Sequence, residues 1–371
     1  MIELFGPNYR YNGEILTKPE VIWINDHHYD EEQKCFHVKK LLENSACDPS
    51  QHVLIFDHVN HEDDLIGYQT VHFPIFLASE AEEFCRRNIQ TDWTKKTHAF
   101  NFMINKPRLH REFLLMLIEH FQLQNYKHTL AWKSIATRNH TLKQLTNNAL
   151  YLDIIDSAPV SIPTTDYKFG PETCMEQGVL NGNFANAETY KHLLQKNVFE
   201  PTCVSLITEP VFYEKEALVS EKTIMSIFAG TLPIWVGGWR CADSMKYLGF
   251  DVFDDIIDHS YQNMPDPMDR CYFAIQRNLD VLTNFDTTHQ FLQQNQHRLQ
   301  HNLDLVLSNV FLQECFEQIK KNPKIKTELM RILPNYRHNM FEDRVHMVDD
   351  DACTYEVFGR TQYGKKYIKP F

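Results

Sequence analysis

A two-domain α/β protein is what the sequence predicts, on three observations. Val21 to Asn25 and Val53 to Phe56 are short apolar runs ending in polar residues, with a helix-forming stretch over 31–45 between them. Ala99 to Ile104 leads directly into a helix with one apolar face. Ser220 to Gly238 reads as a helix, a turn and a buried strand. Strand, helix, strand with polar strand ends is the α/β pattern, and such ends are where open sheets bind ligands. At 371 residues, 43% of them hydrophobic, the chain can build two domains, each with its own core.

Taken in order, VIWIN and VLIF come first and end in Asp26-His27-His28 and Asp57-His58. Val71 to Leu77 comes next, and Pro74 makes it an edge strand or a loop. Glu80 to Asn88 is a short helix candidate. After Ala99 to Ile104, Asn105 can cap a helix and Pro107 suits its first turn. Leu109, Phe113, Leu117 and Phe121 repeat every fourth residue and mark its buried face, with Arg108 and Arg111 off that stripe. Asp156 to Asn183 shifts to Pro, Ser, Thr and Gly, the composition of an interdomain connection. Ala187 to Asn197 is a helix candidate and Cys203 to Thr208 a strand. A largely helical region covers 268–322, and residues 330–371 are polar without a strong period. The expected domains are therefore 1–157 and 158–330, with a C-terminal tail over 331–371 that either packs back on the first domain or serves assembly.

Ser220 to Gly238 is the most informative stretch. Ser220 can cap a helix through its hydroxyl, and Ile224, Ile227 and Phe228 form its apolar face. Gly230 stands where the chain turns left-handed at a helix end, and Leu232 to Val236 continues as a buried strand. Glu221 and Lys222 fall in the first helical turn, where the dipole and unsatisfied N–H groups favour an anion. A lysine there is unfavourable unless an anion sits beside it; the plainer alternative is a solvated lysine. Lys106, Arg108 and Arg111 form a second cationic group at a strand-to-helix junction, where a solvated basic helix end is the alternative. Two such groups, each opening a helix after a strand, suit a diphosphate held by helix N-termini and arginine forks. No GxxxxGK[ST] is present, so an ordinary P-loop is excluded.

The net charge of −12 argues against general nucleic-acid binding. Nine dispersed cysteines without a CxxC point to reduced thiols and a cytoplasmic location. Neither a signal peptide nor an apolar run of membrane-spanning length is visible. Asp26 with His27 and His28 lacks a third ligand at helical spacing, and Asp254, Asp255 and Asp258 alternate with apolar residues as a solvated face does, so no metal is expected. Trp235 reads as core; Trp239 either packs or stacks on a ligand.

These segments resemble a family. SEKTIMSIFAGTLPIWVGG is similar to the signature of α1,3-fucosyltransferase-like glycosyltransferases, with its [ST]-E-K opening, helix, small-residue turn and P-[IV]-x-x-G. VSLITEP resembles the strand before that motif, and NFMINKPRLHREFLLML resembles the segment in which an arginine, here Arg111, opens R-x-x-[FL]-x-x-L with Leu114 and Leu117. YLGFDVFDDIIDHSY is similar to the segment after the motif in related viral and bacterial enzymes. The likeness is specific over 201–262, looser over 98–118 and weak elsewhere. It implies a GT-B fold, two Rossmann-like domains facing across a cleft, the first binding a glycan acceptor and the second a nucleotide-sugar. It implies inverting transfer without a metal or separate cofactor, fucose from GDP-fucose in the nearest relatives. Lys222 and Arg111 would hold the diphosphate, with Lys106 and Arg108 beside them. Glu221 would touch the ribose or orient Lys222, which Ser220 precedes in the motif. Glu209 matches the glutamate of the family's Phe-Glu-Asn, but Pro210 replaces the Asn. The loop from Glu209 to Glu221 is longer than usual, and the tyrosine before [ST]-E-K is displaced, with Tyr213 a substitute. These departures leave the base and the sugar of the donor open.

An inverting transferase needs a general base for the acceptor hydroxyl. By position after an early strand, Asp57 matches the family's carboxylate best, with Asp26 and Glu62 as alternatives. Asp57 could equally be a turn-former that ends its strand. The competing function is a non-catalytic glycan- or nucleotide-binding module on a degenerate scaffold of the same fold. The oligomeric state is not readable from the sequence.

Overall fold

The computed structural model describes residues 2–3, 21–24, 48, 53–56, 59–60, 69–74, 77–78, 81, 84, 92–104, 109–132, 139–157, 195–209, 216–217 and 219–321. The chain divides into two units: 1–88 with 214–218 and 305–371, and 89–213 with 219–304.

The first unit carries a parallel sheet of β1 (Ile2–Glu3), β2 (Val21–Ile24), β3 (Val53–Phe56) and β5 (Gln69–His72), in that order. The expected strands at 21 and 53 are present and pair Val21 with Val53 through Ile24 with Phe56. A short β4 (Val59–Asn60) pairs antiparallel with β9 (Glu216–Ala217). The segment around Pro74 forms the edge strand β5, which ends at His72, so the proline stays outside the ladder. Helical residues Leu77, Ala78, Ala81 and Phe84 are buried, so helix begins earlier than the expected residue 80.

The second unit holds a parallel sheet of β6 (His98–Ile104), β7 (His128–Trp132), β8 (Thr202–Ile207) and β10 (Leu232–Trp235). Among the described residues its helices are α1 (Leu109–His120), α2 (Asn139–Gln144), α3 (Ala149–Ser157), α4 (Glu221–Ala229), α5 (Cys241–Tyr247), α6 (Pro267–Gln276), α7 (Leu279–Thr283), α8 (Phe285–Gln294) and the greater part of α9 (Gln296–Ser308). In the first unit, α10 (Gln313–Lys320) packs on β5. The class is therefore α/β with parallel sheets, as expected. The divisions expected at 157 and 330 do not coincide with these units. Pairing of β6 with β8 draws 98–132 into the same sheet as 202–235.

The strand order is β10-β8-β6-β7. The chain leaves β6 for β7 on one side, then returns to place β8 on the other side and β10 beyond it. The direction of winding thus reverses between β6 and β8, the position where open α/β sheets bind ligands beyond their carboxyl ends. Phe100, Phe102, Val204, Leu206 and Ile234 fill the sheet core with Phe113, Leu114 and Leu117 of α1. Every residue of α1 from Leu109 to Ile118 is buried, not one face alone, because α3 and α6 also pack against it. A polar seam crosses this core. Asn101 Nδ2 donates to Thr202 Oγ1 (2.5 Å) and Ser205 Oγ (2.9 Å), and the Ser205, Thr231 and Ser226 hydroxyls continue it at 2.7 Å each. Pairing offsets the cost of burying these amide and hydroxyl donors, while Asn101 Oδ1 is buried without a partner among the described residues.

Candidate functional site

The best-defined site lies at the carboxyl ends of β6 and β8. Thr208 Oγ1 donates to the Met103 carbonyl at 3.3 Å, which ties the two strand ends together. From the β6 side, α1 brings His110 and Arg111 in its first turn. Arg111 Nη2 donates to the Thr208 carbonyl at 3.1 Å. His110 Nε2 lies 2.8 Å from the Glu209 carbonyl oxygen, which can only accept, so the proton is on Nε2.

From the β8 side, α4 forms as its sequence dictates. Ser220 is its N-cap, with its hydroxyl accepting from the Lys222 N–H, and Gly230 closes it left-handed at φ 60°. Glu209 supplies a second cap from the end of β8. Its Oε1 accepts from the Ser220 N–H at 2.9 Å and from the Thr223 hydroxyl at 3.0 Å. Trp235 Nε1 donates to that same hydroxyl at 2.9 Å, so a core tryptophan fixes Thr223. Glu209 Oε2 is buried and has no hydrogen-bond partner among the described residues. Burial raises the Glu209 carboxyl above its ordinary range, against the pull of the Lys222 charge. Lys222 is 4% exposed and its Nζ donates to Glu221 Oε1 (3.1 Å) and Ser220 Oγ (3.3 Å). An ammonium has three N–H donors, so one has no partner among the described residues.

In the second unit, Glu209, Ser220, Lys222 and Glu221 are thus joined by direct hydrogen bonds, and Arg111 is held at Thr208, the residue before Glu209. Arg111 and Lys222 follow neighbouring strands of one sheet, β6 and β8, whereas the sequence reading puts them in different halves. Asp26, Asp57, Glu62, Lys106, Arg108 and Tyr213 lie outside the described residues. His110 was missed by sequence reasoning, although its place in a helical first turn beside Arg111 was a usable signal. Arg270 was also missed. Fully buried, it holds the Gly237, Met264 and Pro265 carbonyls after β10, and nothing in the local sequence of α6 marks it. Trp235 is core, and Trp239 lies over the Arg270 guanidinium at 5.5 Å. The aspartates of the 251–258 stretch have internal partners: Asp251 and Asp255 with Arg298, Asp254 with Lys246, and Asp258 with Ser260.

Chemically, the arrangement offers a helix N-terminus, a guanidinium and an ammonium to an anion, and one carboxylate oxygen to a hydroxyl or N–H donor. The fold and site define a parallel α/β protein with a cationic switch point. Among the described residues, no helix is long and apolar enough to cross a membrane. In comparisons with known proteins, no family model, no curated protein and no solved structure matches the chain.

Proposed function

We propose that the protein is a nucleotide-sugar-dependent glycosyltransferase of the GT-B type, and that the second unit binds the donor. The observation that carries this reading is the convergence of Arg111 and Lys222 on residues 208–222 at the topological switch point. A diphosphate placed there would meet the α4 N-terminus and two cations, which also stabilise the charge that grows on a departing nucleoside diphosphate. Glu209 Oε2 is placed to accept from a hydroxyl or N–H of the donor. The likeness to fucosyltransferases supports GDP-fucose as that donor, an inverting transfer without a metal, and a glycan hydroxyl as acceptor. Asp57, Asp26 or Glu62 of the first unit would then serve as base. A cytoplasmic location belongs to the same proposal and rests on the nine dispersed cysteines, of which Cys203, Cys241 and Cys271 are buried free thiols.

The test is a thermal-shift panel of GDP, UDP, CDP and ADP, with and without EDTA, followed by transfer assays with the matching nucleotide-sugar. A ligand that binds the folded state raises Tm by mass action. One diphosphate should do so whether or not EDTA is present. Lys222→Ala and Arg111→Ala should each cost about 2–4 kcal/mol of transition-state stabilisation while folding is preserved. Unchanged nucleotide affinity and turnover in both variants would sink the assignment. A nucleotide shift without turnover would mark a binding module instead.

A further inference from the structure

An open groove in the same unit is lined by none of the residues of the cationic site. Asp92, Trp93 and Thr94 on one side and Gln296, His297 and Gln300 of α9 on the other line this groove of about 480 Å³. That volume is in the range of small-molecule sites. Trp93 is anchored like a platform. Its Nε1 donates to the Phe228 carbonyl in the last turn of α4 at 3.0 Å. Its ring lies so close to Gly230 that an added Cβ would come within 2.8 Å of three ring atoms. The indole N–H is therefore used internally, so what the ring can offer the groove is apolar.

Around that surface the side chains are short-range donors and acceptors with spare capacity. Gln296 and His297 are exposed and form no hydrogen bond among the described residues. Gln300 spends one N–H on Asp304 at 2.7 Å and keeps its carbonyl oxygen. Asp92 is ionised, its carboxyl held down to about 2 by the Thr94 hydroxyl and Lys95.

We infer that this groove is a carbohydrate subsite, with a pyranose stacked on Trp93 and its hydroxyls read by Gln296, His297, Gln300 and Asp92. An apolar ring face edged by amides and a carboxylate matches a sugar, which presents C–H faces and a rim of hydroxyls that both donate and accept. Other ligand classes fit less well. A nucleic-acid strand needs a cationic groove, and the exposed lysine near Trp93, Lys95, is paired with Asp92 at 3.0 Å. A quaternary ammonium needs several aromatic walls, and among the described residues only Trp93 supplies one. The inference does not depend on the donor site being a donor site.

The test is saturation-transfer NMR on the full chain with maltotriose, cellotriose and N-acetyllactosamine, with inorganic phosphate as an anionic control. At least one oligosaccharide should bind with Kd about 1 mM, with saturation strongest on the C–H protons of one pyranose face. The Gln296→Ala/His297→Ala double variant changes two exposed side chains that make no hydrogen bond among the described residues, so it should keep its Tm. It should weaken binding at least about tenfold. Lys222→Ala should leave sugar binding intact, and the double variant should leave any nucleotide-induced Tm shift intact, so the two sites fail or succeed separately. Absence of saturation transfer from all three sugars, or transfer unchanged in the double variant, overturns the inference. So does displacement of a bound sugar by phosphate.

Discussion

Replacing Gly230 with alanine tests how α4 is closed and how Trp93 is seated. The residue sits at φ +60°, and alanine in the left-handed region costs about 1–2 kcal/mol. The new Cβ would also lie 2.8 Å from Trp93 Cγ, Cδ1 and Nε1. The ring cannot recede without stretching its 3.0 Å bond to the Phe228 carbonyl, and losing that bond costs about 1 kcal/mol. Against these, alanine lowers the entropy of the unfolded chain and returns about 0.4–1 kcal/mol. The net expectation is a loss of about 2 kcal/mol. Hydrogen exchange of the α4 amides is the assay, because it reads the second unit by itself. A double-mutant cycle with Trp93→Leu separates the parts: in the leucine background the alanine should cost about 1 kcal/mol less. An alanine cost below about 0.5 kcal/mol, or one equal in both backgrounds, would refute the reasoning.

Lys96 carries a pH prediction. Its Nζ donates to the Ala229 and Glu200 carbonyls at 2.6 and 3.0 Å, and burial pushes its pKa down to about 7. The unfolded chain, with an ordinary lysine near 10.4, then binds more protons between the two values, so stability rises with pH. From pH 7 to 9 the gain is about 2 kcal/mol. Lys96→Met should abolish that rise in denaturation measurements, and parallel curves for the two proteins would reject the assignment. Arg298 gives the opposite limb. It bonds Asp251 at 2.6 and 2.9 Å and Asp255 at 2.8 and 2.9 Å. Burial would raise Asp251, but Arg298 and the Phe253 N–H outweigh it, and Arg298 lowers Asp255 as well. Stability from these carboxylates is present above their unfolded pKa near 3.9 and is lost as pH falls through the lowered folded values. Arg298→Ala should cost about 1–2 kcal/mol at pH 7, discounted for partial exposure, and should flatten the acid limb of Tm against pH. An acid limb as steep as that of the unchanged protein would count against it.

The features that could be read from the sequence were local. Ser220, Gly230 and the run from Leu232 settle a cap, a turn and a strand among near neighbours, and all three are present. Cys203 to Thr208 and Ala99 to Ile104 announced β8 and β6 because both are buried apolar runs. His128 to Trp132 was not anticipated as a strand, because HTLAW is polar at its start and gains its place only by pairing with β6. The helices α2 and α3 are not legible in the sequence, since these short segments are supported by packing on each other and on α1. For the site, Arg111, Glu209, Ser220, Glu221 and Lys222 were legible as residue types at strand-to-helix junctions. Their convergence was not, because it depends on β6 lying beside β8. Nor was the burial of Arg111, which needs the tertiary neighbours of α1. Trp93 and Lys96 carried no periodic signal, and their roles arise from the far end of α4.

The pairing of β6 with β8 has a consequence for how the protein can be divided and made. Asn101 and Ser205 are register partners although 104 positions separate them. Loop closure over such a distance must precede the reward of pairing, so this seam is slow to form. A fragment stopping at residue 157 would contain β6 and β7 but no β8. It would present one bare edge of a seven-residue strand carrying Phe100, Phe102 and Met103. A long apolar edge of this kind templates association between chains. Such a piece should aggregate on expression, whereas a cut that respects the sheet must keep both stretches together.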